Sequence, residues 1–204
     1  MTFEGVDGSG KTTQARLLAE HLAGEGRPVV TTREPGGTPL GERIRELLLG
    51  GDSISAWAEA ALFAAARAEL VERVIRPGLA GGADVVCDRY LDSSLAYQGI
   101  ARGLGVEAVL ELNRRAVGAV VPDRTFLLLV GADEARTRMG SALDRIEVAG
   151  GEFQSRIDAA YRELAERFPE RIVALDGTLP VDELARLVRA ELAAAREPAS
   201  NARP

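Results

Sequence analysis

Five short apolar segments recur along the chain, and stretches with the periodicity of amphipathic helices separate them. The segments are residues 1–4, 28–32, 84–87, 125–130 and 171–175. Each is apolar on both faces, as are strands that lie buried between two layers of helices. Strands that alternate with helices in this way predict a parallel sheet with right-handed crossover connections. The expected fold class is therefore α/β, arranged as a three-layer sandwich.

The helical stretches and the residues that end them give no sign of a second domain. Helical periodicity covers residues 12–23, 56–75, 106–117, 152–167 and 181–196, and the expected stops are Gly24, Pro77 and Pro122. A length of 204 residues suits one α/β domain with a full hydrophobic core. The sequence shows no internal repeat and no long linker, so we expect a single domain over 1–197 and a flexible tail over 198–204.

Composition and charge argue against several classes of function. The formal net charge is -6, which argues against a partner that is a nucleic acid polymer, because contact with its phosphates needs a broad basic face. Cys87 is the only cysteine, so neither an intrachain disulfide nor a cysteine metal cluster is expected, and a reducing, cytoplasmic location is favoured. No apolar run approaches the roughly 20 residues that span a bilayer, so we expect no membrane partner.

The segment between the first strand and the first helix carries a phosphate-binding pattern. It reads Gly5-Val6-Asp7-Gly8-Ser9-Gly10-Lys11-Thr12, which matches the P-loop pattern in the strand, loop and helix context that this loop requires. Its glycines let successive backbone amides turn toward phosphate oxygens at the positive end of the helix. Lys11 would then reach the outer phosphates of ATP, and Thr12 would offer its hydroxyl to Mg²⁺. The alternative is a glycine-rich turn that binds nothing.

Two charged residues of this loop carry further information. Lys11 is the only lysine among the 25 lysine and arginine residues. A compact ammonium group fits inside a tight loop where the forked guanidinium of arginine would not, which is a physical reason for lysine at this position. We expect the Asp7 carboxylate to face a second substrate, and the alternative is a carboxylate that faces solvent. The loop alone does not distinguish kinases from GTPases or ATP-driven motors.

Two further loops are expected beside the phosphate loop, because the carboxyl ends of parallel strands meet at one edge of the sheet. Strand 84–87 continues into Asp88-Arg89-Tyr90. The fork of Arg89 suits a monophosphate, and Asp88 could orient Mg²⁺-bound water or Arg89 itself. Strand 28–32 continues into the charged, glycine-containing segment 32–38. Simpler explanations are a local ion pair for the first loop and a plain turn for the second.

Five motifs in a fixed order carry a family resemblance. They are residues 5–13, residues 32–38, Asp88-Arg89-Tyr90, Tyr97-Gln98-Gly99 and Leu143-Asp144-Arg145-Ile146-Glu147. Together they resemble bacterial thymidylate kinases along nearly the whole chain. The resemblance implies a P-loop NTPase nucleotide-kinase fold with a five-stranded parallel sheet and a lid. It also implies ATP as the phosphoryl donor, Mg²⁺ as the cofactor, thymidine monophosphate as the acceptor, and a homodimer.

The resemblance also assigns residues to the substrates and the metal. It places Phe63 over the thymine ring and Arg67 at a base carbonyl oxygen, and these two residues lie four apart, on one helical face. A core phenylalanine beside a surface arginine is the alternative for this pair. By the same resemblance, Asp7 contacts the 3′-hydroxyl of the acceptor, and Thr13 completes the ATP-binding set 5–13. The other implied acceptor-binding residues are Glu34, Pro35, Arg89, Ser93, Ser94, Tyr97 and Gln98. The implied metal set is Thr12, Asp88 and Glu152.

Residues 136–151 are expected to form a lid. Arg136, Arg138 and Arg145 lie there among glycine and serine residues, a composition that does not favour a packed element. Arginines that arrive on closure would stabilise the charge that phosphoryl transfer spreads over the moving group. The predicted catalytic set is Lys11, Arg89, Arg138, Arg145 and Asp7. A solvated, arginine-rich helix end is the alternative.

These predictions combine into an enzyme that phosphorylates thymidine monophosphate with Mg²⁺-ATP, by in-line transfer, for dTTP synthesis. Two alternatives remain open. A kinase for another nucleoside or nucleoside monophosphate is favoured if Phe63, Arg67 and Gln98 do not form a thymine pocket. An ATP-dependent regulatory or partitioning switch would hydrolyse ATP without an acceptor, and it would need neither the lid arginines nor the acceptor motifs.

Overall fold

The computed structural model describes residues 1–50, 53–139 and 151–196. Its sheet contains the strands β1 (Thr2–Glu4), β2 (Val29–Arg33), β3 (Asp84–Asp88), β4 (Thr125–Leu129) and β5 (Ile172–Asp176). All pairings among these strands are parallel, and their order is β2-β3-β1-β4-β5. The strand that precedes the phosphate loop, β1, is therefore the central one. Every strand bound lies within one residue of its predicted position.

Helices connect the strands. In chain order they are α1 (Lys11–Gly24), α2 (Pro39–Leu49), α3 (Ala56–Leu70), α4 (Arg76–Ala80), α5 (Leu91–Ser94), α6 (Val106–Val117), α7 (Ala132–Met139), α8 (Gly151–Arg167) and α9 (Val181–Arg196). Two π-helical segments, Val71–Ile75 and Leu95–Ala101, continue α3 and α5. Periodicity predicts five of the long helices but not α2, α4, α5 or α7, and α7 includes Arg136 and Arg138 of the expected lid. Helix α5 has only four residues, all of them buried, so it shows no amphipathic pattern.

Pro77 does not stop the predicted helix over 56–75, so that expectation is wrong. The chain passes from α3 through the π-helical segment Val71–Ile75 into α4, which ends at Ala80. Pro77 lies in the first turn of α4, where a residue without an amide hydrogen is tolerated. Helix α6 ends at Val117, as predicted, but Gly118 with a φ of 60° follows it directly, so Pro122 is not needed as the stop.

The sheet separates two apolar cores, which is the expected three-layer arrangement. Phe126 and Leu128 of β4 face the first core, and Leu127 faces the second, because successive side chains of a strand alternate between the two faces. The first core also contains Phe3, Leu18, Leu22, Leu184 and Val188, from β1, α1 and α9. The second contains Leu70, Leu95, Val109, Ile157 and Leu164, from α3, α6, α8 and the segment after α5.

The carboxyl ends of β1, β2 and β3 bring three loops to one edge of the sheet. Phe3 of β1 is in register with Asp88 of β3, and Arg33 of β2 is in register with the same residue. The phosphate loop, the segment after β2 and the segment after β3 therefore begin side by side, as predicted, at the edge where open α/β sheets bind ligands. Within the described part of the chain, no helix has both the length and the apolar character to cross a membrane.

Candidate active site

The phosphate loop is a tight turn between β1 and α1. Gly5, Gly8 and Gly10 have φ values of 138°, 79° and 96°, which residues with a side chain rarely adopt. A Cβ atom on Gly5 would lie 2.5 Å from the Leu128 carbonyl oxygen, so the loop also packs closely on β4. Lys11 is buried, and its Nζ donates to the Val6 carbonyl oxygen at 2.8 Å. The ammonium group is thus held inside the curve of the loop.

Asp7 joins the phosphate loop to Arg89. Its Oδ1 accepts a hydrogen bond from the Arg89 guanidinium and lies 3.5 Å from Lys11 Nζ. Burial alone would raise the pKa of Asp7, but the charges of Arg89 and Lys11 hold it well below its ordinary value. Burial, together with the nearby Arg89 charge, lowers the pKa of Lys11 to about 8. The site therefore contains two cations and one firmly ionised carboxylate.

Arg89 lies at the centre of the site in an uncommon backbone conformation. Its φ of 64° is in the left-handed region, which bulky side chains seldom occupy outside functional sites. The backbone is held there because the Arg89 amide donates to the Phe3 carbonyl oxygen at 2.9 Å. The guanidinium also donates to Gly5 O at 2.9 Å, and it lies 3.2 Å from the Tyr161 hydroxyl. Contacts with β1, the phosphate loop and α8 together thus hold Arg89 in place.

The buried carboxylate of Glu4 supports this arrangement, and the sequence analysis did not identify this residue. The carboxylate is fully buried and accepts from the amides of Tyr90 and Ser93 at 2.8 and 3.2 Å. It also accepts from the hydroxyls of Ser93 at 2.6 Å and Tyr161 at 2.9 Å. Burial and the nearby Asp92 raise the pKa of Glu4, against the effect of Arg89. A glutamate inside an otherwise apolar strand was the available signal.

Two of the three predicted metal ligands are brought together. Thr12 Oγ1 donates to Asp88 Oδ2 at 2.5 Å, so a hydroxyl and a carboxylate meet beside the phosphate loop. This pair fits Mg²⁺, which commonly takes one or two protein oxygens and completes its shell with water and substrate phosphates. Among the described residues, no cluster of three or more histidine, cysteine, aspartate or glutamate side chains could hold a metal by itself. Glu152 is exposed in the first turn of α8 and is absent from the described lining around Thr12.

A large cavity lies over the phosphate loop. Its volume is about 790 Å³, within the usual range for small-molecule sites. The predicted ATP-binding residues that line it are Asp7, Gly8, Ser9, Gly10, Lys11, Thr12 and Thr13. Gly5 and Val6 are buried beneath them. Arg138, a predicted lid arginine, lines the same cavity and donates to Gly177 O and Glu134 Oε1, each at 2.9 Å. Arg145 and most of the expected lid lie outside the described residues.

A smaller cavity of about 90 Å³ adjoins the first. The predicted acceptor-binding residues that line it are Asp7, Glu34, Pro35, Phe63, Arg89, Ser93, Tyr97 and Gln98. Four side chains line both cavities, namely Asp7, Glu34, Arg45 and Arg89. Arg45 was not predicted, because it belongs to α2, which sequence periodicity did not reveal. Its guanidinium donates to Pro35 O at 3.0 Å, so it adds a second cation to the shared wall.

Arg67 and Ser94 lie behind this wall and are absent from the described lining of the small cavity. Arg67 has no exposed surface. Its guanidinium donates to Glu34 Oε2 at 2.8 Å, Ser94 Oγ at 3.0 Å and Tyr90 O at 3.0 Å, and it also donates to Asn113 Oδ1. In this structure Arg67 therefore orients Glu34 and Ser94. Asn113, a fully buried polar residue of α6, was likewise not predicted.

Glu34 is the least satisfied polar group of the shared wall. Its Oε2 accepts from Arg67, whereas its buried Oε1 has no hydrogen-bond partner within the described part of the chain. Burial raises the pKa of Glu34 to about 7, even though the Arg67 charge opposes this shift. A buried, partly unpaired carboxylate that faces two cavities is typical of a ligand-binding position.

Comparison with known proteins gives concordant results. A family model described as thymidylate kinase matches residues 3–188. The chain is 50% identical over 184 residues to a thymidylate kinase from Pelotomaculum thermopropionicum, and the match covers 87% of this chain and 85% of that protein. It is 44% identical over 210 residues to one from Chlorobaculum parvum, which covers 97% of both chains. The crystal structure of the enzyme from Ehrlichia chaffeensis matches with a TM-score of 0.77 and 34% identity, covering 94% of this chain and 96% of that one.

Proposed function

The chain belongs to the thymidylate kinase family, and on this premise we propose that the larger cavity binds ATP and the smaller one thymidine monophosphate. The protein is a phosphotransferase that converts thymidine monophosphate to thymidine diphosphate. The observation that carries the assignment of the cavities is their common wall, in which Arg45 and Arg89 lie beside Asp7 and Glu34. Two anionic phosphates that approach from opposite sides would meet at the two guanidinium groups of this wall.

The donor side acts through backbone amides and one cation. The amides of residues 8–13 surround the β-phosphate and γ-phosphate, at the positive end of α1. Lys11 contacts the γ-phosphate, and the phosphate anion raises the lowered pKa of Lys11 again because it favours the protonated form. Arg138 lines the same cavity and neutralises further charge there. Arg145 is proposed to join it when the lid, about 136–151, closes.

Thr12 and Asp88 would hold Mg²⁺ in the ATP complex, with Thr12 as a direct ligand and Asp88 orienting bound water. Bound Mg²⁺ neutralises developing charge on the β-phosphate and γ-phosphate oxygens. Glu152 lies at the start of α8, next to the expected lid. We propose that Glu152 helps to hold the metal or the nucleotide when the lid is closed.

The acceptor side is an apolar slot, and cationic side chains line one end of it. Phe63 and Pro35 enclose the thymine ring, and Gln98 meets its polar edge. Ser93, Tyr97 and Asp7 face the sugar, with Asp7 at the 3′-hydroxyl. The guanidinium groups of Arg89 and Arg45 hold the acceptor phosphate. Arg67 and Ser94 act through Glu34 and the cavity wall, and a direct contact of Arg67 with the base would require it to leave its present partners.

The reaction needs no general base, because the acceptor phosphate is already ionised at neutral pH. Positioning and electrostatic stabilisation are sufficient for in-line transfer between two bound phosphates. The product diphosphate would serve dTTP synthesis.

We also propose a homodimer and a cytoplasmic location. Leu40 and Leu47 of α2 and Trp57 of α3 are about half exposed or more, at 47%, 61% and 52%. Helices α2 and α3 pack on each other, so a second copy of the chain could bury these side chains. Cys87 is a free, buried thiol, which suits a reducing compartment.

The activity is tested by ADP production from Mg²⁺-ATP with each common nucleoside monophosphate and with no acceptor. We expect turnover that depends strongly on thymidine monophosphate. Preference for another acceptor would assign the smaller cavity to a different base. ATP hydrolysis at the same rate with and without an acceptor would instead favour a nucleotide-dependent switch and would overturn the kinase assignment.

A further inference from the structure

A buried carboxylate outside the two cavities determines which way the Gln98 amide faces. Gln98 lines the smaller cavity from the π-helical segment Leu95–Ala101. Its Nε2 donates to Oε1 of Glu59, in the first turn of α3, at 2.9 Å. Both side chains are 1% exposed. Because a carboxylate that pairs with a cation can only accept hydrogen bonds, the amide nitrogen must be the group that faces Glu59.

Glu59 is itself held in place by a cation. Arg102 reaches both of its oxygens, with Nε 3.3 Å from Oε1 and an Nη2 contact of 3.2 Å to Oε2. The Arg102 guanidinium also lies over the Phe153 ring of α8, 4.7 Å from its centroid, a favourable cation–π contact. The Glu59 carboxylate is therefore fixed by Gln98 and by Arg102, which directly follows the π-helical segment and is itself held against α8, before any ligand binds.

We propose that Glu59 is a specificity-determining positioning residue that keeps the Gln98 carbonyl oxygen, Oε1, directed at the bound base. This inference rests on the proposed function of the smaller cavity. A fixed acceptor matches a pyrimidine that carries a hydrogen at ring nitrogen 3, which thymine and uracil have. Cytosine has a lone pair at that nitrogen, so the two acceptors would repel each other.

The fixed orientation matters because a free glutamine amide is nearly symmetric in shape. By rotating half a turn it would offer its NH₂ group to cytosine and would lose its selectivity. In this protein the rotation would break the hydrogen bond to Glu59 and set Gln98 Oε1 against a buried carboxylate. Leaving buried polar groups unpaired is the strongest means by which a site rejects a wrong ligand.

The test replaces Glu59 with glutamine, which can accept or donate and so permits either orientation of Gln98. The quantities measured are kcat/KM for thymidine and deoxyuridine monophosphates, and the inhibition constant of deoxycytidine monophosphate. In Glu59→Gln we expect the preference for thymidine over deoxycytidine monophosphate to fall by about tenfold or more. The ratio between thymidine and deoxyuridine monophosphates should stay unchanged, because both bases carry the N3 hydrogen.

The matched control is Glu69→Gln, the same change on the same helix. Glu69 pairs with Arg73 at 3.4 Å and lies outside the described lining of the cavities. The thymidine-to-deoxycytidine preference is taken as the inhibition constant of deoxycytidine monophosphate divided by the KM for thymidine monophosphate, because neither quantity depends on the folded fraction of the protein. An unchanged thymidine-to-deoxycytidine preference in Glu59→Gln, or an equal change in Glu69→Gln, would overturn the inference alone. Absence of thymidine monophosphate turnover in the wild-type protein would overturn the proposed function, and the inference with it.

Discussion

The donor side and the acceptor side of this site are built in different ways. On the donor side, one continuous segment supplies the curved backbone, the buried Lys11 and the Thr12 hydroxyl. On the acceptor side, the lining comes from the loop after β1, the segment after β2, helices α2 and α3, and the chain after β3. Buried polar networks centred on Glu4 and Glu59 lie behind that lining, and Glu34 is part of it. The phosphate loop at the core of the donor side is thus local in sequence, with Asp88 and Arg138 added from other elements, whereas the acceptor side depends on the whole fold.

This difference determines what a substitution should do. A change in the phosphate loop removes a group that touches the transferred phosphate, so its effect should fall on turnover with every acceptor. A change on the acceptor side removes a hydrogen bond between distant elements, so its effect should divide between stability and the KM for the acceptor. Kinetic and stability measurements on matched variants can separate these two outcomes.

The largest effect is expected for Lys11→Ala. It removes the ammonium group from inside the phosphate loop, and we expect kcat/KM to fall by about 10³-fold, as for other preorganised charge-stabilising groups. The kcat/KM of Lys11→Arg should fall nearly as far, because a forked guanidinium does not fit the curve of the loop. ADP production measures both variants. Substantial activity in Lys11→Ala would remove the basis for treating the loop as the donor site.

Arg89→Lys should have the next largest effect, and this effect should be confined to binding of the acceptor. Lysine keeps the charge but cannot hold two phosphate oxygens at once, so we expect the KM for thymidine monophosphate to rise by about 100-fold. The KM for ATP should change little. Arg16→Lys is the matched control, since Arg16 is an exposed α1 residue that pairs with Glu20. Equal increases in the KM values for both substrates would show that Arg89 serves both sides.

The same contrast explains how much could be predicted from the sequence. The strands and long helices followed from hydrophobic periodicity, and the phosphate loop followed from its pattern between a strand and a helix. The expected acceptor residues Phe63, Tyr97 and Gln98 do line a cavity. Arg67 was expected at the base, but it is buried behind the wall. No local pattern reveals that its partners are Glu34 on one segment and Asn113 on α6, because burial and pairing depend on distant contacts.

On the donor side, stability should increase with pH at alkaline values. The pKa of Lys11 is lowered to about 8 in the folded protein, from 10.5. The unfolded chain therefore binds the proton more tightly, and the free energy of unfolding should rise as pH increases from 8 to 10.5. Relative to Lys11→Met, we expect a gain of about 3 kcal/mol in that window. Because the chain has one lysine, a ¹³C-labelled lysine side chain gives one NMR signal, and a midpoint near 10.5 would contradict this prediction.

On the acceptor side, stability should change with pH in the opposite direction. Burial raises the pKa of Glu34 to about 7, from 4.5, so the folded state binds this proton more tightly than the unfolded chain. The contribution is fully present below pH 4.5 and is lost as pH rises through 7. Relative to Glu34→Gln, the wild-type protein should lose about 3 kcal/mol across this window. Urea unfolding at several pH values measures the difference, and parallel curves for the two proteins would show that Glu34 is already ionised.

The smallest expected effect tests whether the buried network behind Arg89 matters for the acceptor. Tyr161→Phe removes a hydroxyl that donates to Glu4 at 2.9 Å and lies 3.2 Å from the Arg89 guanidinium. We expect the free energy of unfolding to fall by about 1 kcal/mol. The KM for thymidine monophosphate should rise about threefold, which corresponds to one weakened hydrogen bond, while the KM for ATP stays constant.

Tyr90→Phe is a control of the same chemistry. The Tyr90 hydroxyl donates to Val120 O at 3.1 Å, away from both cavities, so this variant should lose similar stability with no change in either KM. If both variants leave the KM for thymidine monophosphate unchanged, the Glu4 network stabilises the fold but does not aim Arg89. If only Tyr161→Phe raises it, distant polar contacts tune the acceptor side, whereas the phosphate loop needs no such support because its groups follow one another along the chain.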